Sequence, residues 1–437
     1  MITGQPLTPE QRASSQKNNY IFNAFNGLSY MCLGETVIIL LAVRLGAPDA
    51  VISMLGAMIY FGFLLLPLGK YVTMRAGAVR SQCVFWRLRN AAALLVAAAV
   101  PVSFWFGLNW AVVTVLAGAF LFYGFRAAGV VMIQPLYREI TVAGERASFI
   151  ALSNQSFYIT SIVALVAISG AFALFDQNIV VLTGVVISGS VFGFISTRYI
   201  DRICESGAIR QAAARPLRGG IRQLLKSPFV PRMFAAGFVC NLGVIMIVPV
   251  SMLTLKRGFG VSDAKALLFS LVVFLFCIIA SKPVALLSSR FGPRKVIIVS
   301  YLVLMGAGSL WIAAPSESHW YFEWLPFALI GTAAIGTGNA MTHYFLQVVK
   351  RDQLVTASIL SALISSAGAG AFGMALAAGL MWLCGRMLPD AEQLTVYRLY
   401  FGIALAMLIP AYRVIANMLP LPVERRNFKR AWYDFLW

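Results

Sequence analysis

Apolar residues in this chain come in long runs, and polar residues gather in short gaps between them. A helix needs about 20 apolar residues to cross the hydrocarbon of a bilayer. Twelve such runs can be counted, starting near Asn18, Pro48, Gln82, Asn109, Arg146, Asn178, Phe229, Ser262, Pro293, Trp320, Asp352 and Leu394. Most gaps are tight polar turns, such as FGLN at 106–109 and FDQN at 175–178. The pattern predicts an all-α integral membrane fold with twelve transmembrane helices. The longest polar stretch, RYIDRICESGAIRQAAARPLRGGIRQLLKS at 198–227, leaves six runs on each side. The predicted organisation is an N-terminal segment 1–17, a six-helix bundle 18–200, a linker 201–227, a second six-helix bundle 228–418 and a tail 419–437.

Composition agrees. Of 437 residues, 60% are hydrophobic and 12% charged, with a mean hydropathy of +0.81. A soluble domain carries about 25% charged residues, so this chain cannot coat a water-facing surface of its size. Disorder is excluded too, since it needs low hydrophobicity. The net charge is +19. In a soluble protein that excess would suggest nucleic acid, but here the cations lie between apolar runs, where they hold loops on the cytoplasmic side and meet anionic lipid. With both termini cytoplasmic, 27 Lys and Arg fall in the inner segments and 6 in the outer ones, with Arg126 and Lys282 inside helices. The expected location is the cell (inner or plasma) membrane, N-in and C-in.

Six cysteines, Cys32, Cys83, Cys204, Cys240, Cys277 and Cys384, form no CxxC pair, and no disulfide framework or zinc site is legible. The first 17 residues lack the apolar core and cleavage site of a signal peptide, so the first apolar helix is expected to stay in the mature protein.

The two halves share short matches. The turn after run two reads MRAGAVR (Met74 to Arg80), and the turn after run eight reads SRFGPRK (Ser289 to Lys295). Arg75 aligns on Arg290 at an offset of 215, and ASFI at Ala147 aligns on ASIL at Ala357 at an offset of 210. Matches at equivalent helix positions support two parallel six-helix repeats, an architecture of transporters. In each turn the glycine permits the reversal, and the cations sit at the end of the preceding helix, where its dipole favours them.

In these turns the sequence resembles the major facilitator superfamily, whose loops after helices two and eight read roughly G-x-x-x-D-R-x-G-R-R. Arg290, Gly292, Arg294 and Lys295 match the second copy; Arg75 and Gly77 match the first, with Arg80 displaced. Met74 and Ser289 stand where the family has an acid. The resemblance implies two pseudo-symmetric six-helix bundles that alternate access to a shared site, with helices one, four, seven and ten lining the path. It also implies that a latch which the missing acid would make is absent.

Ionisable groups inside a membrane are costly and mark function. Glu35 is the only carboxylate well inside a predicted span. A carboxylate there can titrate near neutrality, which makes it the proton-coupling candidate. In a continuous helix at about 100° per residue, however, Asn19, Asn23, Asn26, Tyr30 and Gly34 share one stripe and Glu35 points away from it. It then faces a neighbouring helix or an outer gate. Arg126 reads as an anchor for an anionic substrate, or as a helix-pairing arginine. Lys282, ~12 Å from the Arg290 turn, reads as a snorkelling cation or a second substrate contact.

Polar stripes also occur at Asn154, Tyr158 and Ser161, at Thr332, Gly336, Asn339 and His343, and at Ser358, Ser361, Ser365 and Gly368. The first two suit a hydrated path or interhelical hydrogen bonds; the last suits packing. His343 can be read as part of a proton path. Pro67, Pro135, Pro249 and Pro283 allow bends. The basic, aromatic tail ERRNFKRAWYDFLW suits an amphipathic surface helix.

The candidate substrate-binding set is Arg126, Asn23, Asn26, Tyr30, Asn154, Tyr158 and Asn339, with Glu35 for protons. No phosphate loop, catalytic cluster or metal cluster is visible, so an enzyme, an ATP-driven pump and a cofactor are not expected. The expected function is secondary transport of a small organic anion or polar metabolite by a monomer, with protons as the coupling ion. Proton-driven efflux of lipophilic compounds is the first alternative, and a non-transporting membrane enzyme or scaffold the second.

Overall fold

The computed structural model describes residues 2–3, 6–175, 178–261, 263–317 and 319–421. The aromatic tail after residue 421 lies outside them, as do two residues of the FDQN turn.

The chain is helical almost throughout. Its helices are α1 (Pro9–Cys32), α2 (Glu35–Arg44), α3 (Asp49–Phe61), α4 (Leu66–Ala76), α5 (Ala78–Phe106), α6 (Leu108–Val130), α7 (Ile133–Ile140), α8 (Arg146–Phe175) and α9 (Ile179–Ile200). After two short helices, α10 (Gly207–Ala214) and α11 (Leu217–Leu225), come α12 (Phe229–Leu253), α13 (Asp263–Phe291), α14 (Pro293–Ile312) and α15 (Trp320–Val348). The last are α16 (Leu354–Ser361), α17 (Ala369–Met387) and α18 (Gln393–Ala416). Two two-residue strands, β1 (Ile2–Thr3) and β2 (Glu205–Ser206), pair in parallel.

Among the described residues, ten helical stretches are long and apolar enough to span a bilayer. The predicted second span is broken: a 3-10 turn at Gly62–Leu65 joins α3 to α4, just before Pro67. The predicted first span is broken as well. The single stretch Pro9–Arg44 has length for more than one crossing's needs, and it is interrupted at Leu33–Gly34, with α2 starting anew at Glu35.

The chain divides into two compact units. The first holds the residues up to Val142, then Ser156–Gly220 and Lys350–Ile359; the second holds Ala143–Gln155, Ile221–Val349 and the chain from Leu360 onward. Helix α8 therefore begins with the second unit and continues with the first. The helical stretch from Arg351 changes unit next to a π-helical segment, Ala362–Gly368, a distortion that often marks a functional site.

The first unit's core joins α2, α5, α6 and α9 through Leu41, Val96, Val115, Ala119, Leu182 and Val186, all essentially inaccessible. Close helix approach depends on small residues, as expected where lipid offers no hydrophobic drive between helices. A Cβ on Gly69 of α4 would stand 2.2 Å from the Ala128 carbonyl oxygen of α6.

The two turn motifs take matching shapes. Gly77 has φ 88° and ψ 171°, and Gly292 has φ 84° and ψ 149°. That region of backbone space is essentially open to glycine alone. In the second unit Arg294 donates to the Ala416 carbonyl at 2.5 Å, at the C-terminal end of α18. In the first unit a carboxylate arrives from a distant part of the sequence. Glu205, 1% exposed, accepts from the backbone N–H groups of Ala78 (2.7 Å) and Val79 (3.3 Å). It thus caps α5 directly after Gly77, in a turn whose own acid position is Met74. Arg210 of α10 donates to the Met74 carbonyl at 3.4 Å. Close by, Arg215 pairs with Asp352 and its carbonyl accepts from Lys70 at 2.6 Å. Acidic partners at this end therefore exist, although the motif lacks its own.

Two outcomes are expected. Gly77→Ala forces φ near 88° on a residue with a side chain, at a cost of about 1–3 kcal/mol; the apparent Tm in detergent should drop by several degrees, and an unchanged Tm contradicts the strain. The second concerns Glu205, whose carboxyl burial lifts from the ordinary 4.5 to about 7, against the pull of the Ala78 and Val79 N–H groups and with a smaller push from Glu139. A raised carboxyl favours folding in acid. Its contribution is complete below about 4.5 and lost as pH rises through about 7. Tm should fall across that window, and Glu205→Gln should remove that part of the slope.

Candidate functional site

The break in the first span shapes a small cavity in the first unit. It is lined by Ser29, Tyr30, Leu33 and Gly34 at the end of α1, by Glu35 of α2 and Ile59 of α3, by Arg89 of α5, and by Phe122, Tyr123 and Arg126 of α6. Its volume is about 40 Å³, room for a few waters or one small polar group.

The cation count from sequence places only Arg126 and Lys282 inside helices and so leaves Arg89 among the loop cations. The structure corrects this. Helix α5 starts at Ala78, four residues before the apolar run begins, and carries Arg89 eleven residues in, ~16 Å along its axis. The side chain is 2% exposed. Its guanidinium makes four hydrogen bonds, all to neutral acceptors: Nε and Nη2 to Asn90 Oδ1 (3.1 and 3.0 Å), Nη1 to Asn26 Oδ1 (3.2 Å) and Nη2 to Ser29 Oγ (3.1 Å). The rings of Trp86 and Phe122 lie 5.0 and 5.7 Å from its Cζ, within cation–π range. The signal that could have found it is the Trp86–Arg89–Asn90 cluster at the edge of an otherwise apolar helix.

Arg126 lines the same cavity. Its Cζ lies 5.1 Å from the centre of the Tyr30 ring, and among the described residues no hydrogen-bond acceptor meets its guanidinium. Tyr30 itself packs on Phe157, 5.4 Å between centroids. The Tyr123 hydroxyl is buried with no hydrogen-bond partner.

Glu35 is corrected in orientation. A continuous helix would turn it away from the Tyr30 stripe. Because the helix stops at Leu33 and restarts, Glu35 shares the cavity with Tyr30 and Arg126. Its Oε1 lies 3.4 Å from where a Cβ on Gly56 would stand, so the absence of a side chain on α3 makes room for it.

The other predicted residues are distributed differently. Asn26 backs the cavity, accepting from Arg89 and from the Trp86 indole N–H at 3.2 Å. Asn23 turns back along α1 and donates to the Asn19 carbonyl at 2.9 Å, so it does not line the cavity. Asn154 donates to Asn339 Oδ1 within the second unit, and Asn339 Nδ2 donates to Ser281 at 3.4 Å. Tyr158 packs edge-on against Phe157, 5.4 Å between centroids. Lys282 belongs to the second unit. His343, also there, is held between the Ser288 hydroxyl (2.8 Å) and the Gln347 amide (3.0 Å). Within the first unit the two cations that come together are thus Arg89 and Arg126.

These geometries sit in a known architecture. The chain has the fold of the major facilitator superfamily transporters. A bacterial homologue of the iron transporter ferroportin, in an outward-facing state, is similar over 92% of this chain and 99% of its own, with a TM-score of 0.69 and 14% identity. The proton:xylose symporter XylE is similar over 93% and 96% (TM-score 0.69, 12% identity), and the E. coli fucose:proton symporter FucP over 92% and 98% (TM-score 0.61, 13% identity). No protein-family model and no curated protein matches the sequence.

Removing Arg89 should damage more than charge. Arg89→Met strips the donors from Ser29 and Asn90 and one of the two from Asn26, which keeps the Trp86 indole N–H; each buried acceptor left unmet costs about 1–3 kcal/mol. Arg89→Lys keeps the charge but cannot span all three acceptors from one fork. Both variants should unfold at lower temperature than the parent, Arg89→Met by more. Equal stability of all three would show that the network holds nothing together.

Proposed function

We propose that this protein is a secondary active transporter that moves a small polar solute by alternating access, and that the cavity at the α1–α2 break is its solute site in the first unit. One observation carries the reading: two guanidiniums and a carboxylate converge on a cavity at an interrupted membrane helix. Membrane proteins bury charge at such cost that intramembrane ionisable residues mark transport paths. Broken helices near mid-membrane are where transporters of inverted or parallel repeats bind their cargo. The fold supports the same class, and in this reading the two six-helix halves, 18–200 and 228–418, move against each other in the cell membrane with both termini cytoplasmic.

Glu35 is the proton-coupling residue in this reading. It is met by Tyr30 of α1, Tyr60 of α3, Arg89 of α5, and Tyr123 and Arg126 of α6. A solute entering this cavity changes the field at the carboxylate, so proton and solute binding are linked.

Proton-driven efflux of lipophilic compounds is a second reading. An apolar groove of about 420 Å³ lined by Met54, Met58, Phe61, Val113, Leu116 and Phe120 favours it. Cells lacking the protein would then become more sensitive to lipophilic toxins, and unchanged sensitivity across a broad panel removes it.

The main reading is tested in proteoliposomes. Purified protein should catalyse uptake of at least one solute from a panel of metabolites, accelerated by an inward proton gradient. Glu35→Gln should still exchange solute across the membrane but lose gradient-driven accumulation and its pH dependence. A variant that keeps both places proton coupling elsewhere, and a panel with no uptake at all removes the transporter reading.

A further inference from the structure

We propose that the cavity at the helix break binds the carboxylate of a small monocarboxylate, with Arg126 as the arm that closes on it and Arg89 as the fixed positive wall behind. The inference rests on the transporter reading for its cargo, but the binding site stands on its own geometry.

Charge is the first argument. The lining carries two guanidiniums and one carboxylate, so with ordinary charges the cavity is one positive charge in excess. Among the described residues no carboxylate forms an ion pair with Arg89, whose hydrogen bonds all go to Asn26, Ser29 and Asn90. Arg89 is therefore buried on neutral partners alone. A buried charge left without a counter-charge is expensive, and an entering monoanion supplies the missing one. A dianion such as a phosphate ester would overshoot the balance.

Hydrogen-bonding capacity is the second argument. The acceptors near Arg89, namely Asn26, Ser29 and Asn90, are already engaged by it. Apart from the Glu35 carboxylate, already counted in the charge balance, what remains unengaged is donors. Arg126 offers five N–H groups in a planar fork and has no acceptor. The Tyr123 hydroxyl is 4% exposed and has no partner. The first turn of α2 has no side-chain cap; Val37 N–H bonds the Gly34 carbonyl, which leaves the Glu35 and Thr36 N–H groups at the positive end of that helix without a capping side chain. A sugar, whose hydroxyls donate as well as accept, matches this set poorly. A carboxylate only accepts, and the guanidinium fork suits its two oxygens.

Size and walls are the third argument. About 40 Å³ admits a carboxylate and little more. Leu33, Ile59, Phe122 and the rings of Tyr30 and Tyr123 surround it, so the carbon skeleton next to the acid is apolar.

The test uses the full chain in detergent with acetate, its neutral amide acetamide, and inorganic phosphate as probes. Acetate should raise Tm in a saturable way, and acetamide and phosphate should not. Arg126→Gln should weaken acetate binding by about tenfold or more, the worth of a charged hydrogen bond. Tyr123→Phe guards against a folding defect. It removes only an unpartnered buried hydroxyl, so it should leave Tm without probe equal or higher while weakening acetate several-fold. Equal shifts from acetate and acetamide, a stronger shift from phosphate, or undiminished acetate binding in both variants overturns the proposal. Uptake into liposomes separates the two readings. Transport of a neutral solute with no carboxylate binding sinks the substrate class alone, and carboxylate binding with no transport of any solute sinks the transporter reading alone.

Discussion

A guanidinium held at membrane depth sets the terms for the first unit. Arg89 is 2% exposed, so its N–H groups must be met by protein. Meeting them requires Asn26 and Ser29 on one helix and Asn90 beside it, each presenting an oxygen within 3.2 Å. That requirement fixes the rotation of α1 against α5 and consumes the polar side chains of the α1 stripe nearest the break. Tyr30, further along the same stripe, is then free to stack under Arg126. The cavity follows from how one buried cation is satisfied and another is left open.

The break in the first span is the second constraint. An uninterrupted helix would place Glu35 on the opposite side from Tyr30. Stopping at Leu33–Gly34 restarts the backbone hydrogen-bond ladder, and Val37 and Ile38 bond back to the Gly34 carbonyl at 3.0 and 3.3 Å. The restart turns a carboxylate and the positive end of a half-helix toward the same small space. Gly56 on α3 leaves the room that the carboxylate needs.

Much of the frame was legible in the sequence. Apolar runs mark most spans because lipid demands length and hydropathy, and the Arg75/Arg290 alignment finds a real equivalence: Gly77 and Gly292, 215 residues apart, share a backbone shape open only to glycine. Gly46 and Gly260, 214 apart, are a second pair with positive φ (83° and 67°) that the alignment did not use. Arg126 and Tyr30 were legible because a lone cation and an aromatic stand out in apolar helices. The helix break was not, since Leu33–Gly34 lies in a continuous apolar stretch with no proline to signal it. Arg89 was hidden by its neighbours: Arg80 and Arg87 make the segment look like a basic turn, although α5 already begins at Ala78. Glu205 was hidden for a different reason, because nothing local in its sequence tells which distant helix end it will meet.

These hidden features connect through one element. Helix α5 carries both Glu205's anchor point at Ala78 and Val79 and, ~16 Å further on, Arg89. A helix of this length is stiff on the scale of a hydrogen bond, so a displacement at its capped end is felt at its guanidinium. The Glu205 carboxyl accepts the first N–H groups of α5 at the turn where the resembling family places its own acid. The turn motif and the cavity are therefore joined mechanically by a single rigid helix. A change in how Glu205 grips the first turn of α5 must either bend that helix or shift Arg89 against Asn26 and Ser29. Between these two points Phe85 and Trp86 pack against Gly129 of α6, which opposes a bend in that stretch and ties the grip at the turn to the guanidinium at the cavity.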